Sequence, residues 1–153
     1  MEILLIEDSR LVRDRLTELL ESMEGVTVTA SAADVPGALA CLADYLLRGR
    51  MPDLVVLDIS LFGQEMSCGN GIDLLRHIKR RFSPVKVAVL TNYASIAIRN
   101  RCAREGADYF FDKSYELDRL TDTVHALQCN PPHPFLSTAF EVEHTSAAVA
   151  NWR

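Results

Sequence analysis

Residues 3–8 read ILLIED, a short apolar run followed by two acidic residues. Three further stretches have the same form, an apolar run that ends at a polar residue: 53–58 (DLVVLD), 85–91 (VKVAVLT) and 107–113 (ADYFFDK). A weaker and more polar run covers Val26–Ala30. Continuous apolar runs, without strict alternation, are typical of strands that are covered on both faces, as in a parallel sheet.

Between these runs, apolar residues recur every three or four positions, which predicts amphipathic helices. The predicted helices lie over residues 12–23, 35–46, 71–82, 94–104 and 117–127. The fourth is the weakest, because it has little beyond alanine, Ile98 and Cys102 to bury.

Helix ends are marked by residues that suit them. Ser9 and Asp34 can cap helix starts, and Gly25 and Gly106 stand where helices should end. Five strands that alternate with five helices predict an α/β fold with a doubly wound parallel sheet.

Composition excludes several classes of protein. The chain has 153 residues, 48% of them hydrophobic, so one domain with a real core is expected. A net charge of −5 argues against direct nucleic-acid binding over a broad face. No apolar run approaches the roughly 20 residues of a membrane helix, and the N-terminus does not resemble a secretory signal. We therefore expect a cytoplasmic protein. The cysteines and histidines lack the spacing of a zinc site.

The composition changes after Gln128, where residues 131–134 read PPHP. Proline cannot continue a helix, so we expect a domain over residues 1–128 and a tail over 129–153. The tail holds aromatic residues and the only tryptophan, Trp152. It is most simply a hydrophobic strap over the domain, but a dimer contact and a partner-binding peptide stay open.

The candidate chemistry lies at the strand ends. In an open parallel sheet, ligands bind beyond the carboxyl ends of the strands. The residues placed there are Glu7, Asp8, Asp58, Thr91 and Lys113. Three close carboxylates repel one another and need a cation, and oxygen ligands suit Mg²⁺. Lys113 and Thr91 could each hold a phosphoryl oxygen, which indicates phosphoryl transfer to a carboxylate nucleophile.

In order and spacing, this set resembles the receiver domain of two-component response regulators, over residues 1–127. The resemblance implies a flavodoxin-like sheet with strand order 2-1-3-4-5. It implies that Asp58 accepts a phosphoryl group from a histidine kinase or a histidine phosphotransfer protein. Glu7, Asp8, Asp58 and the backbone carbonyl of Ser60 would bind Mg²⁺.

The resemblance also implies a switch. Thr91 would move toward the phosphoryl group and Phe110 would turn inward, which changes the surface of the fourth helix, fifth strand and fifth helix. An unidentified downstream protein would read that change. The resemblance does not decide whether the chain forms a homodimer.

The chain departs from the family pattern in several places. The loop after Asp58 is longer than usual and has Phe62 where proline is common. Asn92 stands where a small residue is usual, and Ser114 replaces a frequent proline, which makes a cis peptide there doubtful. Tyr93, two residues after Thr91, is bulky enough to shield an acyl phosphate from water.

Three functions stay open at this stage. The first is a stand-alone response regulator that is a phosphoacceptor, not a true enzyme. The second is the receiver portion of a DNA-binding regulator, although residues 129–153 are too few for an output domain and carry one basic residue, Arg153. The third is an aspartate-nucleophile phosphatase, which the absence of a second carboxylate in Asp58-Ile59-Ser60 disfavours.

Overall fold

Strands and helices alternate along the whole of the computed structural model, which describes residues 1–61 and 71–130. The elements are β1 (Glu2–Ile6), α1 (Arg10–Glu21), β2 (Thr27–Ala32), α2 (Val35–Leu47), β3 (Leu54–Leu57), α3 (Gly71–Arg81), β4 (Lys86–Thr91), α4 (Ile96–Arg104), β5 (Tyr109–Asp112) and α5 (Leu117–Cys129). The strands form one parallel sheet in the order β2-β1-β3-β4-β5. The predicted α/β fold, its five-stranded sheet and its strand order are confirmed.

Each face of the sheet has its own core. Leu4 and Ile6 point into the core under α2, α3 and α4, whereas Ile3 and Leu5 point into the core under α1 and α5. Alternate side chains of one strand face opposite sides of the sheet. Because helices cover both sides, every residue of β3 is buried, which explains its unbroken apolar sequence.

The predicted helix starts are confirmed at Ser9 and Asp34, and one of the two predicted helix ends is confirmed at Gly106. The hydroxyl of Ser9 accepts a hydrogen bond from the Val12 N–H, and the carboxylate of Asp34 accepts one from Gly37 at 2.7 Å. Gly106 directly follows Glu105, the residue that caps the end of α4, and has a φ angle of 96°. Such left-handed backbone favours glycine and ends a helix. The prediction that Gly25 ends α1 is wrong: the helix is capped at Ser22, and Gly25, with a φ angle of 75°, lies in the turn before β2.

Helix α4 is the most weakly anchored helix in the described part of the chain, as its composition predicted. Its one buried residue is Cys102. The helix begins at Ile96, two residues later than predicted, because Ser95 caps it by accepting from the Ile98 N–H at 3.3 Å. No helix among residues 1–61 and 71–130 is long and apolar enough to cross a membrane. Phe62, Cys68 and the tail from residue 131 lie outside the described residues.

A half-buried charge cluster lies at the amino edge of the sheet. Asp108, just before β5, accepts hydrogen bonds from Lys79 Nζ, Lys86 Nζ and the Val87 N–H, each at 2.9 Å. Lys79 also donates to the Val85 carbonyl at 3.0 Å. Burial alone would raise the pKa of Asp108, but these three hydrogen bonds outweigh it and hold the pKa below its ordinary value.

Replacing Asp108 by Asn should lower the free energy of unfolding at pH 7 by about 1–3 kcal/mol, because the charge that pairs with both lysines is lost. A carboxyl whose pKa is depressed in the folded state stabilises the fold above its unfolded pKa, and that contribution disappears as the pH falls through the folded pKa. The difference between Asp108→Asn and wild type should therefore shrink at acid pH, as urea unfolding at several pH values would show.

The matched control is Asp14→Asn. Asp14 is 62% exposed and pairs only with exposed Arg10 at 3.8 Å, so its loss should change the unfolding midpoint little. Equal effects of the two substitutions, or a difference for Asp108→Asn that persists at acid pH, would contradict this account of the cluster.

Candidate functional site

The strand ends bring the predicted residues to one edge of the sheet. Backbone hydrogen bonds continue one residue past the strands: Glu7 donates to Ala32, Asp58 to Ile6 and Lys113 to Thr91, at 2.9, 2.9 and 3.0 Å. The side chains that follow β1, β3 and β5 are thus held by the same ladder as the strands. The sheet itself therefore sets the spacing of the site.

Three carboxylates meet at this edge. One oxygen from each of Glu7, Asp8 and Asp58 lies within 4.8 Å of the others. Glu7 and Asp58 are buried, with 2% and 5% of their surface exposed, while Asp8 is half-buried. Carboxylates this close repel one another strongly when water is excluded, so the cluster needs positive charge.

Lys113 supplies part of that charge. Its Nζ donates to Asp58 Oδ2 at 2.5 Å and to Glu7 Oε2 at 2.7 Å. Burial alone would lower the pKa of Lys113, but the hydrogen bonds to Asp58 and Glu7 outweigh it and raise the pKa. Burial also raises the pKa of Glu7, against the opposing effect of Lys113. Three carboxylates and one ammonium, when all are ionised, leave two negative charges for a further cation to balance.

The loop after Asp58 is anchored on its carboxylate. Ser60 N–H donates to Asp58 Oδ1 at 2.9 Å, so both oxygens of Asp58 have a donor. Behind this loop, a Cβ on Gly71 would lie 2.4 Å from the Ile59 Cα. Only glycine allows α3 to begin this close to the loop. Beyond the apolar face of α3, no feature of the sequence indicates this requirement.

Thr91 contacts the loop that follows Asp58. It is fully buried at the end of β4. Its Oγ1 lies 3.1 Å from Ser60 Oγ and accepts a hydrogen bond from the Tyr93 N–H at 3.2 Å. The Tyr93 side chain itself is 61% exposed. Through Ser60 and Tyr93, the Thr91 hydroxyl joins the loop after β3 to the loop after β4.

Phe110 lies inward in this structure. It is 9% exposed and belongs to the core on the α4 side of the sheet. The Arg99 guanidinium lies 4.6 Å from the centre of its ring, and Arg99 also donates to the Phe110 carbonyl at 3.2 Å. Arg99 reaches Glu116 at 3.3 Å, and Glu116 accepts from the Asp112 N–H at 2.7 Å. Sequence reasoning identified Phe110 but not Arg99 or Glu116.

Two residues that depart from the family pattern contact each other. Ser114 Oγ donates to Asn92 Oδ1 at 3.4 Å, which links the loops after β4 and β5. The peptide bond between Lys113 and Ser114 is trans, as the absence of proline led us to expect. Arg13, which the sequence did not mark, donates to the Glu7 carbonyl at 2.7 Å and so steadies the acidic pair.

The donor set fits a hard divalent cation. It offers carboxylate oxygens and no sulfur or imidazole, and Mg²⁺ prefers such oxygens while it retains waters and phosphate oxygens. Asp58 is the central residue of the site. It contacts Lys113 and Ser60, and one of its oxygens lies within 4.8 Å of carboxylate oxygens of Glu7 and Asp8. The arrangement can present one carboxylate to a phosphoryl group while cations offset the charge.

Comparison with known proteins gives the same family. A family model described as the response regulator receiver domain matches residues 3–125. The regulator of RpoS of Escherichia coli is 33% identical over 143 residues, which cover 93% of this chain and 38% of that protein. The transcriptional regulatory protein TctD of Salmonella typhimurium is 30% identical over 127 residues, which cover 83% of this chain and 51% of that protein.

Solved structures agree. A two-component response regulator of the LuxR family from Aurantimonas sp. SI85-9A1 superposes with a TM-score of 0.70 at 27% identity and covers 84% of this chain and 85% of that one. The isolated receiver domain of RcsB from Salmonella enterica serovar Typhimurium, solved with phosphomimetic BeF₃⁻, gives a TM-score of 0.70 at 25% identity and covers 84% of this chain and 88% of that one.

The chain spans between about a quarter and a half of the length of the first curated relatives, 24% of a nitrogen assimilation regulatory protein NtrX and 51% of TctD. The chain belongs to the response regulator receiver domain family and is a receiver domain of the two-component type.

Proposed function

We propose that the chain signals by accepting a phosphoryl group on Asp58. The observation that carries this is the environment of the Asp58 carboxylate, which is buried, 2.5 Å from Lys113 Nζ and clustered with Glu7 and Asp8. A surface aspartate would have none of these neighbours. The residue is held in place by the sheet and surrounded by the charges that phosphoryl transfer requires.

The donor that we propose is the phosphohistidine of a histidine kinase or of a histidine phosphotransfer protein. A carboxylate oxygen of Asp58 attacks phosphorus, the phosphorus–nitrogen bond breaks, and neutral imidazole leaves after it gains a proton. The product is an acyl phosphate on Asp58. Lys113, which already donates to Asp58 Oδ2, is placed to stabilise charge on the phosphoryl oxygens. Because a histidine kinase takes its phosphoryl group from ATP, we place the reaction in the cytoplasm.

The proposed Mg²⁺ ligands are the carboxylates of Glu7, Asp8 and Asp58 and the backbone carbonyl of Ser60. When bound, the ion supplies charge neutralisation at the phosphoryl oxygens. The carboxylates lie close enough for one ion, and their excess of negative charge favours it. Arg13 keeps the backbone of Glu7 and Asp8 in position for this role through its hydrogen bond to the Glu7 carbonyl.

The response that we propose runs through Thr91 and Phe110. Phosphorylation adds roughly two negative charges and new acceptor oxygens. The Thr91 hydroxyl, now near Ser60 Oγ, is the closest buried hydroxyl donor on β4 and would turn toward them. Phe110 and Arg99 would then repack under α4, and a downstream protein would recognise the altered α4–β5–α5 surface.

We propose a phosphoacceptor and not an enzyme that turns over an external substrate. The residue two positions after Asp58 is Ser60, whose N–H donates a hydrogen bond to the Asp58 carboxylate. Aspartate-based phosphatases use a second carboxylate there as a general acid, and this chain has none at that position.

A second candidate function is transcriptional control through an output domain. TctD carries the words transcriptional regulatory protein in its name, and this chain matches half of it. The mass of the native protein tests the idea. A mass well above 17.1 kDa with a further domain would support it, and a mass equal to that of this chain would exclude an output domain on the same polypeptide.

The first prediction concerns the acceptor. Incubation with acetyl phosphate and Mg²⁺ should add one phosphoryl group to the wild-type chain, and Asp58→Asn should abolish the adduct, because an amide is not a competent nucleophile. Intact-mass spectrometry measures both. Asp14→Asn, an exposed aspartate on α1, is the control and should keep the adduct. An adduct of undiminished yield on Asp58→Asn would show that the acceptor is a different residue.

The second prediction concerns the metal. Mg²⁺ should raise the free energy of unfolding of the wild-type chain, by about 2.7 kcal/mol at a concentration one hundred times its Kd. Asp8→Asn should remove most of this gain, because it takes one carboxylate from the cluster. Urea unfolding with and without Mg²⁺ measures the effect. Asp44→Asn, 56% exposed on α2, should leave the gain intact, and an undiminished gain in Asp8→Asn would contradict the ligand assignment.

The third prediction concerns the switch. Thr91→Val keeps the size of the buried side chain but loses the hydroxyl that contacts Ser60. It should still take up a phosphoryl group, yet hydrogen exchange in α4 and β5 should no longer change on phosphorylation. Thr123→Val, which removes a half-buried hydroxyl that donates to the Arg119 carbonyl within α5, is the control. A phosphorylation-dependent change of wild-type size in Thr91→Val would remove Thr91 from the switch.

A further inference from the structure

Helix α2 is apolar on two sides. Its inward side chains are Val35, Ala38, Leu42 and Tyr45. On the other side lies what we term the α2 outer face, whose members are exposed: Pro36, Leu39, Ala40, Ala43, Leu46 and Leu47. At about 100° per residue, these six positions cover an arc of about 120°. Asp44 is the only charged residue in the helix.

This outer face is unusual for a helix in contact with water. Leu47 is 87% exposed, Leu46 46% and Leu39 38%. A helix that is apolar nearly all round is normally buried, and a contiguous apolar patch on a surface marks a place where something binds. Among residues 1–61 and 71–130, none covers this face. By contrast, α1 and α3 direct arginine, lysine, aspartate or glutamate outward.

The end of α5 lies close to the amino edge of the sheet. The side chain of Gln128, in the last turn of α5, donates to the Glu24 carbonyl at 2.7 Å. The next residue, Gly25, accepts a hydrogen bond from the amino group of Met1 at 2.6 Å. The chain therefore leaves the described structure beside the start of β1.

The end of α2 lies at the same edge, on the opposite face of the sheet. Arg50, just beyond α2, pairs with Glu2 of β1, and its N–H donates to the Tyr45 carbonyl at 2.9 Å. Only the first residues of β1 and β2 separate the end of α5 from the end of α2. A segment that continues from Asn130 needs to cross one edge of the sheet to reach the α2 outer face.

The tail has the length and the composition to do so. Its 23 residues, 131–153, could span about 75 Å when extended, against a diameter of about 35 Å for a domain of this size. Its apolar residues include Phe135, Leu136, Phe140, Val142 and Trp152.

We propose that residues 131–153 pack on the α2 outer face. The tail of the same chain is a better occupant of this face than a second copy of the chain. A tethered segment has an effective concentration in the millimolar range, and its binding does not require a dimer to form. In this proposal, the apolar residues of the tail cover Leu39, Ala43 and Leu47. This proposal is independent of phosphorylation at Asp58.

Photo-crosslinking in the full chain tests it. p-Benzoylphenylalanine replaces Phe135, Phe140 or Trp152, one position at a time, and the crosslinked peptides are identified by mass spectrometry. We expect a crosslink within one chain to peptides that contain residues 36–47. The yield of this crosslink should fall to the noise level when the chain also carries Leu39→Glu and Leu47→Glu. It should be unchanged in Leu11→Glu, which alters a 72% exposed leucine on α1 instead.

Several results would overturn the proposal. One is the absence of a crosslink to α2 from all three positions. Another is a crosslink mainly to a different surface. A crosslink between two chains would show that a second copy covers the face. Binding of a hydrophobic dye gives an independent check: Phe135→Ser/Phe140→Ser should bind more dye than wild type, and adding Leu39→Glu/Leu47→Glu should reverse the increase. Equal dye binding by wild type and the tail variant would contradict the proposal.

Discussion

The ion pairs of Lys113 with Asp58 and Glu7 are the interaction on which the site depends. All three side chains are at most 9% exposed, so each charge has lost most of its water. Removing one partner from such a buried arrangement typically costs about 3–5 kcal/mol, since the remaining charges are left uncompensated. The pairs form only because β1, β3 and β5 end at the same edge. Fold and site therefore share one constraint, the alignment of parallel strand ends.

The two edges of the sheet differ in how far their negative charge is balanced by nearby positive groups. At the amino edge, Asp108 has two lysines and a backbone N–H, so its negative charge is more than balanced. At the carboxyl edge, three carboxylates share one lysine. The first cluster is complete and can only stabilise the fold. The second keeps an unbalanced negative charge, which the proposed Mg²⁺ would offset.

Much of the fold was predictable because strands buried in a parallel sheet have continuous apolar sequences. The polar residue that ends each run then identifies the site, which is how Glu7, Asp8, Asp58, Thr91 and Lys113 were found. Strand β2 was placed at 26–30 and lies at 27–32, since it is an edge strand with alternating exposure and lacks a sharp apolar signal.

Other features left no such signal. Arg13 and Arg99 act through backbone carbonyls and a ring face that are close only after folding. A helix with arginines on its surface looks the same whether or not one of them reaches inward. Likewise, Gly71 reads as one more small residue on the apolar face of the predicted helix, and its need for close approach to Ile59 comes from how α3 sits on the sheet.

The uneven anchoring of the helices suits the proposed switch. Helix α4 contributes one buried side chain, Cys102, and one partly buried side chain, Ile98. Its other anchors are polar: Arg99 binds the Phe110 carbonyl, the Phe110 ring and Glu116, and Glu105 at the helix end accepts two hydrogen bonds from Arg76 of α3. A few polar contacts and one cation–π contact are worth far less than a packed apolar face. A change at Thr91 and Phe110 therefore has to overcome little energy to move α4, whereas α3, with five buried residues, stays fixed. Weak packing over β4 and β5 is thus the feature that would let a local change of charge become a change of surface.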